Sequence, residues 1–120
     1  MHGRQVDEFL PLPASVMHIM VALADGEKHG YAILRDVAEL SGGAVRMGSG
    51  TLYGSIKRML DQGLIEETEE RPDPALDDQR RRYYRLTELG QRVGAAEQRR
   101  LTALVDAARL RQLGLRPGGA

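Results

Sequence analysis

Basic, hydroxyl and glycine residues are grouped in residues 46–65, which read RMGSGTLYGSIKRMLDQGLI. The segment contains three basic residues and no acidic residue before Asp61. Lysine and arginine can pair with phosphate oxygens, and hydroxyl groups can bond either phosphates or base edges. The segment is therefore a candidate surface for a nucleic acid, and a solvated helical face that happens to be basic is the alternative. The candidate contact residues are Arg46, Ser49, Gly50, Thr51, Tyr53, Gly54, Ser55, Lys57 and Arg58.

A second acid-free segment, residues 79–86, reads QRRRYYRL. Alternate side chains of a strand share a face, so Tyr84 and Leu86 should point to the core, and Tyr83 and Arg85 away from it. Such a basic strand suits contacts with a DNA backbone or minor groove. Pairing of the arginines with acids of the preceding strand is the alternative, and both can hold at once. The candidate contact residues here are Arg80, Arg81, Arg82 and Tyr83.

Opposite charges are separated along the chain, although the chain as a whole is neutral. Its 120 residues include 17 Lys and Arg and 17 Asp and Glu. Between Leu64 and Asp78 there are seven acids and a single basic residue, Arg71. The distribution of charge matters more to a partner than its sum. The acidic stretch would repel phosphate, so we expect nucleic-acid contacts on the Arg80–Arg82 side of the hairpin.

Several classes of site are not predicted. The chain has no cysteine, which excludes disulfides and thiolate metal ligands and is typical of a reducing cytosol. His2, His18 and His29 have no second ligand type at a metal-binding spacing, and we expect surface or helix-capping roles for the latter two. No nucleophile–base arrangement, phosphate loop or dinucleotide fingerprint is present. We therefore expect no enzyme, cofactor or metal, and a cytoplasmic protein without a membrane span or secretory signal.

Apolar periodicity and turn residues predict the elements that position these segments. Their order indicates a mainly α (α+β) fold, a winged helix-turn-helix with a two-stranded wing and a long C-terminal dimerisation helix. In the third helix Leu52, Ile56, Met59 and Leu60 are expected to face the core. The expected elements include helices after Pro13, at about 29–40, at about 50–62 with Ser49 as N-cap and Gly63 as the C-terminal glycine, and from Thr87 as N-cap to about Leu113. Strands are expected at 64–68 and 81–87, and a single β-bridge at 44–46.

The last expected helix is too long to be buried by so small a domain, so its apolar stripe needs a partner. The simplest partner is the same helix of a second copy. The residues expected at this seam are Leu89, Val93, Ala96, Leu101, Leu104, Val105 and Ala108. The expected organisation is a flexible segment 1–9, a winged helix-turn-helix DNA-binding domain 10–86, the dimerisation helix 87–113 and a disordered tail 114–120.

Three segments in order resemble the signature segments of PadR-type transcriptional regulators. They are HGYAIL at 29–34, GTLYGSIKRMLDQGLI at 50–65 and RRYYRLTELG at 81–90, and the segment LPASVMHIMVALADGEKHGY is similar to the first helix of that family. The resemblance covers about residues 10–110. It implies a dimeric bacterial repressor that binds a palindromic operator, with GTLYGSIKR as the recognition helix and the strand at 80–85 in the wing.

This chain departs from the family pattern at two points. Many members have a proline where this chain has Gly54, and compact members that bind aromatic drugs between subunits use a tryptophan, which this chain lacks. The implied partners are double-stranded DNA and a second copy, with an unidentified small-molecule effector as a further candidate. The alternative function is a winged-helix module that binds an acidic protein through its basic face. A ligand-binding carrier with vestigial DNA contacts is a third.

Overall fold

The computed structural model describes residues 5–68 and 82–114. Four α-helices and a small antiparallel sheet form a mostly α, winged helix-turn-helix arrangement, as the sequence predicts. No helix among the described residues is long and apolar enough to cross a membrane. In chain order the elements are a 3₁₀ helix Val6–Phe9, α1 Ala14–Leu23, β1 Lys28–His29, α2 Gly30–Leu40, α3 Ser49–Asp61, β2 Ile65–Glu67, β3 Tyr83–Leu86 and α4 Glu88–Leu110.

The core lies where α1, α2 and α3 meet the sheet and the first half of α4. Its apolar side chains recur at helical spacing within each helix, which is why each helix has one buried face. The expected stripe of α3 is confirmed for Leu52, Ile56 and Met59, which are buried, and Leu60 packs half-buried against them. The largest fully buried apolar side chains are Ile19, Ile33, Val37, Leu52, Ile56, Met59, Leu64, Ile65 and Val93.

The sheet has three strands in the order β1-β3-β2. The two expected strands are present as β2 and β3, with Ile65 opposite Leu86 and Glu67 opposite Tyr84. Strand β1 was not predicted: it contributes only Lys28 and His29, which pair with Tyr84 and Tyr83. The β-bridge expected at 44–46 is wrong. This segment is a turn held by Ser41, whose Oγ accepts the Val45 N–H at 2.9 Å.

Polar side chains and glycines set the helix ends. Thr87 is the N-cap of α4, as predicted: its Oγ1 accepts the Gly90 N–H at 3.0 Å and donates to the Gly63 carbonyl at 2.5 Å. The Thr87 N–H donates to the carbonyl of Leu64 at 3.1 Å. Gly63 follows α3 with a φ of +78°, a left-handed conformation that favours glycine. The predicted N-cap Ser49 is one residue off, because Gly48 is the N-cap and Ser49 is the first helical residue.

The N-terminal segment packs against α4. Residues 6–9, expected within a flexible segment, form the 3₁₀ helix, and both Phe9 and Leu12 are buried. This segment and α1 both contact α4. The predicted tail 114–120 lies outside the described residues except for Gly114, which follows α4.

The predicted dimer stripe divides into two parts. Val93 and Ala96 are buried within their own protomer, so their assignment to a seam between copies is wrong. Leu89 is half-buried and packs against the same core. The apolar spacing continues along one face of α4, so the sequence does not separate the two parts. Only the first half of that face packs against the core of its own protomer. Leu101, Leu104 and Val105 remain exposed, and Ala108 is half-buried.

Candidate nucleic-acid interface

One face of α3 is open to solvent along its whole length. Its exposed residues follow helical spacing, on the side opposite the buried stripe. The first residues of a helix have backbone N–H groups without helical partners, so the N-terminus of α3 also offers donors to an anion. The exposed residues are Ser49, Gly50, Thr51, Gly54, Lys57, Arg58 and Asp61.

Two of the predicted contact residues have a different environment. Ser55 was expected to face outward, and that is wrong: it is buried, with 7% of its surface accessible. The spacing explains this, because Ser55 lies three residues after Leu52 and four before Met59, on the buried face. Tyr53 is half-buried and packs against the core. The Tyr53 ring lies so close to Gly30 that a Cβ at Gly30 would come within 2.7 Å of its Cζ atom. The start of α2 therefore fixes the position of the Tyr53 side chain.

The exposed face of α3 is unobstructed at its glycines. A Cβ built on Gly50 or Gly54 meets no atom within 4 Å. Packing within the protomer therefore does not require glycine at either position. At Gly54, in the middle of the face, the missing side chain lets another molecule approach the helix backbone closely.

The cations of this surface are not neutralised by carboxylates in the described ranges. Among residues 5–68 and 82–114, no ion pair involves Arg46, Lys57 or Arg58. The guanidinium Nε of Arg46 donates to the carbonyl of Gly43 at 3.3 Å, which leaves the charge itself unpaired within those residues. The predicted positive surface is therefore present at α3 and at the turn before it.

Strand β3 shows the predicted alternation. Tyr84 is buried and burial raises the pKa of its hydroxyl, with the charge of Glu67 acting in the same direction. On the other face Arg85 donates to Glu66 at 2.7 Å across the hairpin, so the pairing alternative is confirmed for this arginine. Arg82 is exposed. Arg80 and Arg81, two of the predicted contact residues, lie outside the described residues.

The beginning of α2 is a part of this surface that sequence analysis missed. His29 caps α2, since its Nδ1 accepts the Ala32 N–H at 3.1 Å, which confirms the expected capping role. The His29 ring also contacts the ring of Tyr83, edge to face, with centroids 5.4 Å apart. Tyr31 is 52% exposed beside it. His29 thus connects the first residues of α2 to strand β3, and Tyr31 projects from the same end of the helix.

A buried carboxylate on α4 was also missed. Glu97 is 1% exposed, and its Oε2 accepts the backbone N–H of Leu12 at 3.0 Å. Arg100 donates to both carboxylate oxygens, from Nε at 2.6 Å and from Nη2 at 2.9 Å. The hydrogen bonds from Arg100 lower the pKa of Glu97 below its ordinary value of 4.5, with the Leu12 amide adding to the effect and burial opposing it. The spacing of Glu97 and Arg100, three residues apart on a helix, was the available signal.

The described residues contain no group of three or more His, Asp or Glu side chains that could hold a metal ion. The other charge cluster is structural: Lys28 pairs with Asp25 at 2.5 Å and with Asp36 at 3.1 Å, and donates to the carbonyl of Ala22. Burial would lower the pKa of Lys28, but the hydrogen bonds to the two aspartates outweigh it and raise that pKa. This cluster joins α1 to α2.

Comparison with known proteins points to one family. The model of the transcriptional regulator PadR-like family matches residues 19–96. A curated relative, an uncharacterized 37.1 kDa protein in transposon TN4556 of Streptomyces fradiae, is 42% identical over 55 residues, which are 46% of this chain and 15% of that protein. This chain thus spans only a small part of that relative.

Solved structures share the fold. The chain is similar to a PadR family transcription regulator from Clostridium difficile, with a TM-score of 0.67, 22% identity, and coverage of 82% of this chain and 97% of that one. It is also similar to Bacillus subtilis PadR in complex with operator DNA, with a TM-score of 0.57, 24% identity, and coverage of 68% of this chain and 45% of that one.

Proposed function

The chain belongs to the PadR-like family of transcriptional regulators, and from this premise we propose that it binds double-stranded operator DNA as a homodimer and acts as a repressor. The observation that carries the proposal is the open face of α3, which holds Thr51, Lys57 and Arg58 and no acid before Asp61. Regulators of transcription are not enzymes, and the proposed function needs no catalytic group.

Helix α3 serves as the recognition helix in this proposal. A recognition helix lies in the major groove and offers its N-terminal residues to base edges. Thr51 and the open backbone at Gly50 and Gly54 are at that end, whereas Lys57 and Arg58 lie nearly two turns after Thr51, where they can meet phosphates. The buried Ser55 is better placed to pack than to contact DNA, and the half-buried Tyr53 can contact DNA only with the exposed part of its side chain.

The wing and the start of α2 extend the surface beyond α3. Arg82 is exposed at the start of β3, and Arg80 and Arg81 precede it in the sequence. Tyr31 supplies a hydroxyl at the start of α2. Hydroxyls and cations at these edges suit contacts to the phosphate backbone, which fix the orientation of a protein on the duplex. His29 holds the two edges together through its contacts with Ala32 and Tyr83.

The second half of α4 supplies the dimer contact in this proposal. Leu101, Leu104 and Val105 are 37%, 60% and 49% exposed on a helix that has already left its own core. A groove of about 310 Å³ beside them is lined by Met17 of α1 and by Leu101 and Val105. An apolar stripe on a projecting helix is buried most simply by its own copy across a two-fold axis. Two copies then present two α3 helices to a palindromic site.

The test begins with selection of bound DNA from a random pool, which yields an operator for the wild-type protein. Binding to this operator is then measured by fluorescence anisotropy for Lys57→Ala/Arg58→Ala. We expect a loss of at least about hundredfold in affinity, since two charge-assisted phosphate contacts per protomer are removed. The matched control is Arg92→Ala/Arg99→Ala, which removes the same charge from exposed positions of α4 and should bind almost normally.

Salt dependence separates DNA binding from binding to an acidic protein through the same face. Release of counterions from DNA makes affinity fall steeply with salt, by a power close to the number of phosphates contacted. The Lys57→Ala/Arg58→Ala variant should have a shallower slope. Equal operator binding by the variant and the control would exclude α3 as the DNA-contacting helix. Enrichment of no DNA sequence by the wild-type protein would exclude the proposed function.

A further inference from the structure

Glu97 occupies the point at which α4 leaves its domain. The buried residues of α4 are Gly90, Val93, Ala96 and Glu97, and residues 98–106 are all exposed. Glu97 is therefore the last residue of α4 before this exposed stretch whose side chain is buried by its own domain. A carboxylate at such a position is costly to bury unless every oxygen has partners. The partners here are the Leu12 amide and the Arg100 guanidinium.

The Leu12 hydrogen bond joins two parts of the chain that are 85 residues apart. Leu12 and Phe9 are buried by packing of the N-terminal segment, whose 3₁₀ helix contacts α4. Helix α4 also contacts α1 and β3. The N-terminal segment and α1 thus both hold the helix, and Glu97 fastens it to the N-terminal segment with a charge-assisted hydrogen bond. Leu12, Glu97 and Arg100 all lie outside the segment 19–96 that the family model matches.

We propose that Glu97 is a positioning residue that fixes the angle at which α4 leaves the domain and, through that angle, the separation of the two α3 helices in the dimer. The first part rests on the geometry of the described residues alone. The second part rests on the proposed function. A change in tilt of about 10° acting over about 20 Å, the length of some thirteen helical residues, displaces a recognition helix by about 3.5 Å, close to one base-pair step. The spacing of operator half-sites is therefore the property that Glu97 controls.

The angle can be measured without DNA, because the chain contains no cysteine. Asp61→Cys and Ala103→Cys place spin labels at exposed positions on α3 and on the second half of α4. Double electron–electron resonance on labelled protein diluted with excess unlabelled protein reports the distance within one protomer. We expect one narrow distance distribution with Glu97 and a broader, shifted one with Glu97→Gln, which cannot pair with Arg100 as a carboxylate does.

Two further variants protect the test. Arg100→Lys keeps a cation beside the buried carboxylate but lacks the guanidinium that donates to both of its oxygens, so the protein should fold even if Glu97→Gln does not, and the distribution should broaden in the same direction. Glu88→Gln makes the same chemical change at an exposed position of α4 and should leave the distribution unchanged. Unchanged distributions in Glu97→Gln and Arg100→Lys, or in whichever of the two folds, would overturn the proposal that this carboxylate sets the angle.

The DNA readout uses the operator selected by the wild-type protein and copies with one base pair added or removed between the half-sites. We expect the preference for the selected spacing to fall by about tenfold in Glu97→Gln, equivalent to about 1.4 kcal/mol and in the range of a lost hydrogen bond to a charged group. A merely stabilising role would lower the melting temperature and leave this preference intact, which would overturn the link to operator spacing. A wild-type protein that binds no operator would refute the proposed function, and the distance measurement would still decide the role of Glu97.

Discussion

The two halves of α4 have the same apolar periodicity and opposite environments. From Glu88 to Glu97 the apolar face is covered by α1, β3 and the N-terminal segment, and Val93 is fully buried. From Gln98 to Leu110 the face continues, but Leu104 is 60% and Val105 49% exposed. Apolar residues at helical spacing indicate that one face of a helix will be buried. They do not indicate whether the same chain or another molecule buries it. The position of the last buried residue, Glu97, marks the change from one to the other.

The difference has a consequence for substitutions. In the first half a change should affect folding of the protomer, because the helix packs against backbone and core there. In the second half a change should affect association and leave the protomer intact. The following three experiments compare the halves in order of decreasing expected effect.

Gly90 is the most sensitive position of the first half. A Cβ at Gly90 would overlap the carbonyl oxygen of Leu64 and come within 3.0 Å of its carbonyl carbon, and backbone atoms cannot move aside as a side chain can. We expect Gly90→Ala to lower the free energy of unfolding by about 3 kcal/mol, as for severe overpacking, measured by urea denaturation.

The matched control for Gly90 is Gly94, one turn further along α4. A Cβ at Gly94 meets only the end of Met20, at 3.7 Å, an ordinary contact. Gly94→Ala should raise stability by about 0.5–1 kcal/mol through helix propensity. Similar stabilities for the two variants would mean that the first half of α4 does not pack against the sheet as described.

Leu104 provides the corresponding test of the second half. Leu104→Asp places a charge in the proposed seam and should weaken dimerisation about hundredfold, equivalent to about 2.7 kcal/mol, with the protomer still folded. Sedimentation velocity over a range of concentrations gives the dissociation constant. Ala103→Asp introduces the same charge at an exposed neighbouring position and should leave the dimer intact. Dimers of equal strength in the two variants would place the interface elsewhere.

The pH dependence of stability tests the boundary between the halves. Because the pKa of Glu97 is lower in the folded state than its ordinary value of 4.5, the folded state binds fewer protons there than the unfolded state. Its contribution is therefore present above about pH 4.5 and is lost as pH falls through the folded pKa. The free energy of unfolding of the wild type should exceed that of Glu97→Gln by about 2 kcal/mol at pH 7. This difference should shrink steadily below pH 4.5, as followed by thermal unfolding, and a constant difference would contradict the assigned ionisation.

Local patterns predicted several local features correctly. The α3 stripe, the N-cap Thr87 and the glycine after α3 depend on residues within a few positions of one another, so the sequence carries their signal directly. Ser55 was misplaced because a small hydroxyl was taken for a surface residue, although its spacing from Leu52 and Met59 put it on the buried face. Spacing was the better guide than residue type.

The features that could not be predicted join distant parts of the chain. Strand β1 has only two residues, and it exists because Lys28 and His29 lie beside β3, more than fifty positions away. The Glu97–Leu12 hydrogen bond spans 85 positions. Neither contact produces a periodic pattern in the sequence, because each depends on how whole helices and strands pack together. The division of α4 into a buried half and an exposed half could not be predicted for the same reason. How much of the helix the core buries is a property of the folded domain.

Hydrogen bonds of Thr87 join the end of α3 to the start of α4. Its side chain bonds to Gly63 and its N–H to Leu64, the two residues that follow the C-cap of α3, while its Oγ1 caps α4. Because these hydrogen bonds join the end of α3 to the start of α4, in a dimer formed through α4 a rotation of one protomer against the other would turn its α3 through the same angle. If this dimer binds operator DNA as proposed, its rotation would change the affinity for DNA directly. A molecule that alters this rotation would then release the operator without touching α3.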